Sequence, residues 1–239
     1  MRILIIRHGD PDYEKDSLTE KGWREAELLA DKMEKLDIKA FYVSPLGRAQ
    51  DTANVTLKRI GRKAETHKWL REFQAPVFDK GKLCGPWDLM PSFYTKQDDF
   101  YNTEKWYNTD FMKKGRVKAE YDKVNKGFDK ILCNHGYERC GKYYKVNAAN
   151  TDIIVFFCHF GVECVLLSHL LNISPVSLWQ GFCAAPTSVT SLYTEEREKG
   201  IAVFRCNAFG DTSHLYAGNE EAAFAARFCE IYDDMTQRH

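Results

Sequence analysis

The apolar residues at 3–6 stop abruptly at Arg7-His8-Gly9-Asp10-Pro11, a short β-branched run that predicts a buried strand closed by a turn. Helical spacing then takes over. Ser17-Leu18-Thr19-Glu20 reads as a capping box, and Trp23, Ala26, Ala30 and Met33 recur at intervals of three and four on one face of a helix reaching about Leu36. Phe41-Tyr42-Val43 predicts a second strand, broken at Ser44-Pro45, and Ala49, Ala53, Leu57 and Ile60 mark the inward face of a helix over 48–60. Residues 153–158 form the most apolar strand candidate, ending at His159-Phe160-Gly161 with a helix over 162–171 behind it. Stretches 187–193 and 201–206 read as later strands and 220–234 as a terminal helix. Strands alternating with helices predict an α/β fold, a mostly parallel sheet with helices on both faces, in which ligands bind at the carboxyl ends of strands.

Between 74 and 150 the pattern loosens into Gly, Pro, Lys and many aromatics, among them Phe78, Trp87, Phe93, Tyr94, Phe100, Trp106 and Phe111. So aromatic a stretch is not a disordered linker. It is expected to be a cap insertion within a single domain spanning 1–239, partly helical near 118–133, with most rings in a satellite core and a few lining a lid.

Composition narrows the function classes. With 34 Lys+Arg against 34 Asp+Glu and 44% hydrophobic residues, the chain is neither disordered nor fibrous, and it lacks the basic surface that nucleic acid or an anionic membrane demands. Any anion must be recognised by a few locally placed cations. Residues 3–6 are too short a run for a secretory leader or a membrane span, so the eight cysteines are expected to be reduced thiols in a cytoplasmic protein. Cys133, His135 and Cys140 lack the paired spacing of a zinc site and read as loop and core residues.

Polar clusters follow three predicted strands: Arg7-His8-Gly9, Ser44 to Arg48, and His159-Phe160-Gly161. Any one of these side chains alone would read as a strand-end cap. Convergence of all three at one sheet edge would gather two guanidiniums and two imidazoles. Guanidinium forks match phosphate oxygens without requiring a basic protein, and an imidazole beside that phosphate is a candidate nucleophile.

The chain resembles the histidine phosphatase superfamily, which includes the phosphoglycerate mutases. The resemblance runs through Arg7-His8-Gly9, Leu18-Thr19-Glu20-Lys21-Gly22, the Ser44 to Ala53 stretch, Leu70-Arg71-Glu72, His159-Phe160-Gly161, Thr187-Ser188-Val189-Thr190 and Asp211-Thr212-Ser213-His214-Leu215. It implies a phosphoglycerate mutase-like fold and a catalytic set of His8, Glu72 and His159. His8 would be phosphorylated in turnover, Arg7, Arg48, His8 and His159 would bind phosphate, and Glu72 would give a proton to the leaving alcohol and then activate water. No metal or other cofactor is implied, and the partner is a small phosphorylated substrate. Many relatives carry Asn seven residues after the motif Arg, where this chain has Glu14; Phe160 stands where many have a smaller or polar residue. Mutases continue from the acid with an Arg-His-Tyr-Gly type run, but here the sequence is Phe73-Gln74-Ala75-Pro76; a phosphatase-type Gly85-Pro86-Trp87 follows. The expectation is therefore a phosphomonoesterase, with a phosphoglycerate-mutase-type phosphotransferase as the alternative and a non-catalytic phospho-ligand-binding module further behind.

Overall fold

In a computed structural model that describes residues 1–79, 81–225 and 227–236, the apolar N-terminal run becomes β1 (Arg2–Arg7). It leads through the small ladder of β2 (Pro11–Asp12) and β3 (Ser17–Leu18) to α1 (Glu20–Met33), β4 (Ile38–Val43), α2 (Gly47–Arg59) and β5 (Glu65–Thr66). The antiparallel pair β6 (Val77–Asp79) and β7 (Lys82–Cys84) precedes the short helices α3 (Pro91–Tyr94) and α4 (Asp110–Lys114) and the long α5 (Val117–Asn134). Next come β8 (Tyr137–Cys140), β9 (Tyr143–Val146), β10 (Ile153–Cys158), α6 (Phe160–Leu171) and α7 (Pro175–Gly181). The ribbon of β11 (Val189–Glu198) and β12 (Ile201–Asp211) and the short α8 (Ser213–Ala217) follow.

The main sheet has the order β5-β4-β10-β1-β11-β12-β9-β8. Its first four strands are parallel, and from β1 onward every pairing is antiparallel, with tight connections joining β11 to β12 and β8 to β9. The expected α/β sheet is present but mixed rather than mostly parallel, with its parallel half on the side that carries the polar clusters. Continuous apolar runs in β1 and β10 reflect burial on both faces. Ile3, Ile5, Ile154 and Phe156 point into a core shared with Phe128 of α5 and Val162 and Leu166 of α6. Leu4, Ile6, Val155 and Phe157 point into the opposite core, with Leu29 and Met33 of α1 and Ala49 and Ala53 of α2. Among the described residues no helix is long and apolar enough to cross a membrane.

Four local readings change. The N-cap of α1 is Thr19, whose hydroxyl accepts from Gly22 N at 3.0 Å, rather than Ser17. Trp23 is not on the buried face: it is 41% exposed, and Glu25 is turned inward instead, where it accepts from Asp10 N at 2.9 Å. The stretch 74–150 divides, since α5 packs on α6, and β8 and β9 extend the main sheet beyond β12. Finally, the described residues of 220–234 form irregular chain with a few bends and turns rather than the expected terminal helix. Their polar groups are committed elsewhere: Glu220 pairs with Lys21 at 2.7 Å and Arg24 at 3.1 Å, and Ala223 N donates to Glu25 at 3.2 Å.

Phe156 is 0% exposed and lies 5.0 Å from the Tyr42 ring and 5.4 Å from the Phe128 ring, so its removal leaves a cavity that its neighbours cannot fill. Phe156→Ala is expected to cost about 3–5 kcal/mol. Urea denaturation checks this, and a loss below ~1 kcal/mol would contradict the packing described.

Candidate active site

Because β4, β10 and β1 lie side by side and parallel, their carboxyl ends open at one edge. The ladder extends one residue past the strands: His8 N donates to Cys158 O at 3.0 Å and Ser44 N to Phe157 O at 2.9 Å. That register delivers His8, Ser44 and His159 to one place, with the two imidazole centroids 5.1 Å apart and tilted by 56°.

The protonation of His8 is legible from its partner. Nδ1 lies 2.7 Å from the Gly9 carbonyl, which can only accept, so Nδ1 carries the proton and Nε2 keeps its lone pair. Burial, then the Arg7 guanidinium, and more weakly Arg48, hold the imidazole well below its ordinary value of 6.5 against the pull of the Gly9 bond. His8 is therefore neutral at pH 7. Gly9 is required here, since a Cβ on it would stand 2.8 Å from the Gly22 carbonyl.

Arg7 and Arg48 are held from behind. The terminal nitrogens of Arg7 donate to the carbonyls of Ala184 and Ala225, both at 2.7 Å. Arg48, in the first turn of α2, pairs with Asp16 at 2.6 Å, and its guanidinium stands 5.4 Å from the Tyr13 ring centre. Asp16 also accepts from Gly47 N at 2.7 Å, while Glu14 is exposed. His159 is buried, and Ser44 Oγ, which accepts from Leu46 N at 3.3 Å, lies 2.7 Å from Nε2 and gives its own proton to it, which leaves the imidazole proton on Nδ1. Burial, then His8, Arg48, Arg7 and Arg71, push its imidazole well below the ordinary value.

Glu72 completes the cluster. Its Oε1 accepts from Phe73 N at 2.7 Å and from Val162 N, in the first turn of α6, at 3.2 Å. Burial raises its pKa against those two bonds and the attraction of Arg7 and Arg48, which favours a protonated carboxyl. Gly161 makes room for it: a Cβ there would lie 2.6 Å from Glu72 Oε1 and 2.8 Å from the Trp87 ring. Trp87 and the acid are thus neighbours, and the indole N–H donates to the Phe73 carbonyl at 3.3 Å.

All five side chains singled out from the sequence meet here. Three of their nitrogens, Arg7 Nε, Arg48 Nε and His159 Nδ1, are buried without a hydrogen-bond partner among the described residues. An unmet buried donor costs about 1–3 kcal/mol, and three in one cluster suit a ligand bearing several oxygen acceptors. Sequence reading missed the groups that hold this set, namely Asp16, the Ser44 hydroxyl and the carbonyls of residues 184 and 225. It also missed Glu163, a buried carboxyl raised to about 7 by burial, with Thr190 and Arg7 opposing and Glu72 adding. Asp16 carries no periodic signal, and a main-chain oxygen leaves no trace in sequence at all.

Comparison with known proteins bears on the family and the fold. The sequence model of the histidine phosphatase superfamily (branch 1) matches residues 3–207. A 2,3-bisphosphoglycerate-dependent phosphoglycerate mutase from Thermoplasma acidophilum is 37% identical over 79 residues, covering 29% of this chain and 40% of the relative's length. Among solved structures, a mutant phosphoserine phosphatase from Entamoeba histolytica in complex with phosphoserine superposes with a TM-score of 0.61 and 20% identity over 90% of this chain and 98% of that one. A mycobacterial glucosyl-3-phosphoglycerate phosphatase complexed with VO3 gives a TM-score of 0.54 and 17% identity over 87% of this chain and 98% of that one. At such identities these likenesses concern the fold.

Beneath the His8 loop, Glu25 is wholly buried, and burial raises its carboxyl to about 7 against the bonds from Asp10 N and Ala223 N. An acid whose folded pKa exceeds its unfolded one binds its proton more tightly in the native state. Its contribution to stability is complete below about 4.5 and is lost as pH rises through about 7. The stability advantage of the native protein over Glu25→Gln is expected to shrink by about 1–3 kcal/mol between pH 5 and pH 8. Denaturation of both at the two pH values tests it, and an unchanged difference would contradict the assigned titration.

Proposed function

The chain belongs to the histidine phosphatase superfamily, branch 1, and from that premise we propose that it is a metal-independent phosphomonoesterase acting on a small phosphorylated metabolite through a phosphohistidine on His8. The observation that carries the reading is the cluster of three unmet donors, Arg7 Nε, Arg48 Nε and His159 Nδ1, around a neutral imidazole whose Nε2 is left as a lone pair.

In this reading Nε2 of His8 attacks phosphorus in line, and the bond from phosphorus to the ester oxygen breaks. Glu72, whose protonated form burial favours, gives its proton to the departing alkoxide. Charge on the transferred group falls to the two guanidiniums and the His159 N–H, all fixed before the reaction and therefore needing little reorganisation. Water then enters, and the Glu72 carboxylate takes its proton. The hydroxide attacks phosphorus, the nitrogen–phosphorus bond breaks, and Nε2 recovers its lone pair. Ester and water yield alcohol and phosphate. Trp87, beside Glu72 across Gly161, lies on the side where the leaving group departs and favours substrates with some apolar surface there.

Support for hydrolysis over phosphoryl transfer to a second sugar-acid hydroxyl comes from Phe73-Gln74-Ala75-Pro76 after the acid, where mutases of the family carry a basic run. The similarity to a mutase keeps the transfer reading open to assay. Supplied with a phosphoglycerate, a phosphatase releases free phosphate and a mutase accumulates the isomer.

His8→Ala is expected to lower phosphate release from p-nitrophenyl phosphate at least about a thousandfold, because no other group replaces the nucleophile. Undiminished hydrolysis would remove His8 from that role. Glu72→Gln is expected to slow alkyl phosphates by about 10²–10⁴ and p-nitrophenyl phosphate far less, since a good leaving group needs little proton donation. Equal losses across a series of leaving groups would exclude Glu72 as the acid.

A further inference from the structure

Two stretches that stand out in the sequence, at Thr187-Ser188 and at Asp211 to Leu215, have no part in the chemistry above. The structure joins them. Ser188 N donates to Ala185 O at 3.0 Å, closing a turn with Pro186 second and Thr187 third, and Thr187 has φ of 55°. A turn with positive φ at its third position favours Gly or Asn there, and a β-branched residue in that conformation is an outlier. Thr187 is 0% exposed, so something buried keeps it so.

Its hydroxyl lies 2.8 Å from the Pro186 carbonyl and 3.0 Å from Nε2 of His214 in α8. A carbonyl can only accept, so the hydroxyl donates to Pro186 and accepts from His214, which fixes the proton on Nε2. Burial, then Lys32, with Asp211 opposing, push the His214 imidazole to about 4. At neutral pH it is thus an uncharged N–H donor.

What the turn holds is the centre of the site. Thr187 N donates to the His8 carbonyl at 3.1 Å, and Ser188 O accepts from Arg7 N at 3.3 Å. One position back from Ala185, the Ala184 carbonyl accepts from the Arg7 guanidinium at 2.7 Å. One short segment therefore grips the Arg7-His8 pair by its main chain and by a side chain. Strained backbone persists where the surroundings over-determine it, and here the constraint comes from outside the turn.

We propose that His214 is a positioning residue: its Nε2–H pins Thr187 in the left-handed conformation, and the turn so held sets the placement of the Arg7-His8 peptide that carries the nucleophile. A Thr stands where Gly would be relaxed because only a hydroxyl links this turn to α8. The kinetic readout rests on the phosphatase reading; the placement itself does not.

The test uses His214→Leu, His214→Gln and His214→Asn, together with Thr187→Gly alone and combined with His214→Leu. Assays are run well below the melting temperature of each variant, so that loss of stability alone leaves kcat unmoved. His214→Leu is expected to lower kcat for p-nitrophenyl phosphate about tenfold or more, since small misplacements of a reacting group are costly. Gln, whose amide reaches to the Nε2 position, should stay within about threefold of the native rate, whereas the shorter Asn should behave like Leu. Glycine at 187 adopts positive φ without help, so the double variant is expected to recover at least about threefold over His214→Leu. Native kcat in His214→Leu, or a double variant no faster than it, would overturn the proposal. Where the Leu variant does not fold, the contrast between Gln and Asn carries the same decision, and equal rates for the two would overturn it. The amide resonances of His8 and Gly9 supply a readout without turnover. Shifts in His214→Leu, or in His214→Asn where Leu does not fold, that revert once Thr187→Gly is added support the proposal, and unmoved resonances overturn it. Should the native protein release no phosphate from any phosphomonoester, the phosphatase reading falls and these resonances alone decide the placement.

Discussion

An arginine that is only 6% exposed must find oxygens for its N–H groups, and the way this chain supplies them to Arg7 organises much of the structure. The first oxygen comes from Ala184, at the mouth of the turn before β11, and the second from Ala225, in the segment after α8. Neither contact asks anything of a side chain. Both ask that the chain after α6 return to the carboxyl end of β1, and the antiparallel pairing of β11 with β1 is what brings it there. With both terminal nitrogens so committed, Arg7 Nε is left buried without an acceptor among the described residues, and the proposed oxyanion site rests on that unmet need.

Overall charge gives no hint of this. The balance of 34 basic and 34 acidic residues leaves the chain no net positive charge with which to attract an anion. Within the site, however, Arg7 and Arg48 both depress the neighbouring imidazoles, and of the nearby acids Glu72 and Glu163 are raised toward their neutral forms by burial. Burial thus sharpens the positive character of the cluster by quenching the acids that would oppose it, and the rest of the surface remains mixed.

The fold and four of the central side chains, Arg7, His8, Arg48 and His159, were legible because they obey local rules, whereas Glu72 follows no apolar strand and was found only through the family resemblance. An apolar run ending in a charged or aromatic triplet marks a buried strand and what stands at its end, and three such runs in parallel fix one edge. The helices around them were legible to within a few residues by periodicity. Elsewhere the local rules lost to tertiary contacts. Trp23 has the right spacing to be buried, but α1 is turned so that Glu25 can meet Asp10 N, a choice settled by the His8 loop and invisible in the helix itself. Residues 220–234 have a passable helical composition, yet Glu220 and Ala223 are committed to Lys21, Arg24 and Glu25. Thr187 illustrates the opposite failure: no propensity puts Thr at positive φ, so its backbone could be found only by seeing what surrounds it.

The central place of β1 bears on how the molecule is made. This strand precedes both of its neighbours in the sheet, β10 and β11, along the chain, and Arg2 pairs with Ile153 on one side and Tyr193 on the other. The Arg7 guanidinium reaches to residue 225, a separation of 218 positions. Loop closure over such distances is slow, and the pairing that rewards it arrives only when most of the chain has been synthesised. Apolar on both faces, β1 has no partner in the sheet until β10 has been synthesised, so this architecture places a demand on chaperones at β1.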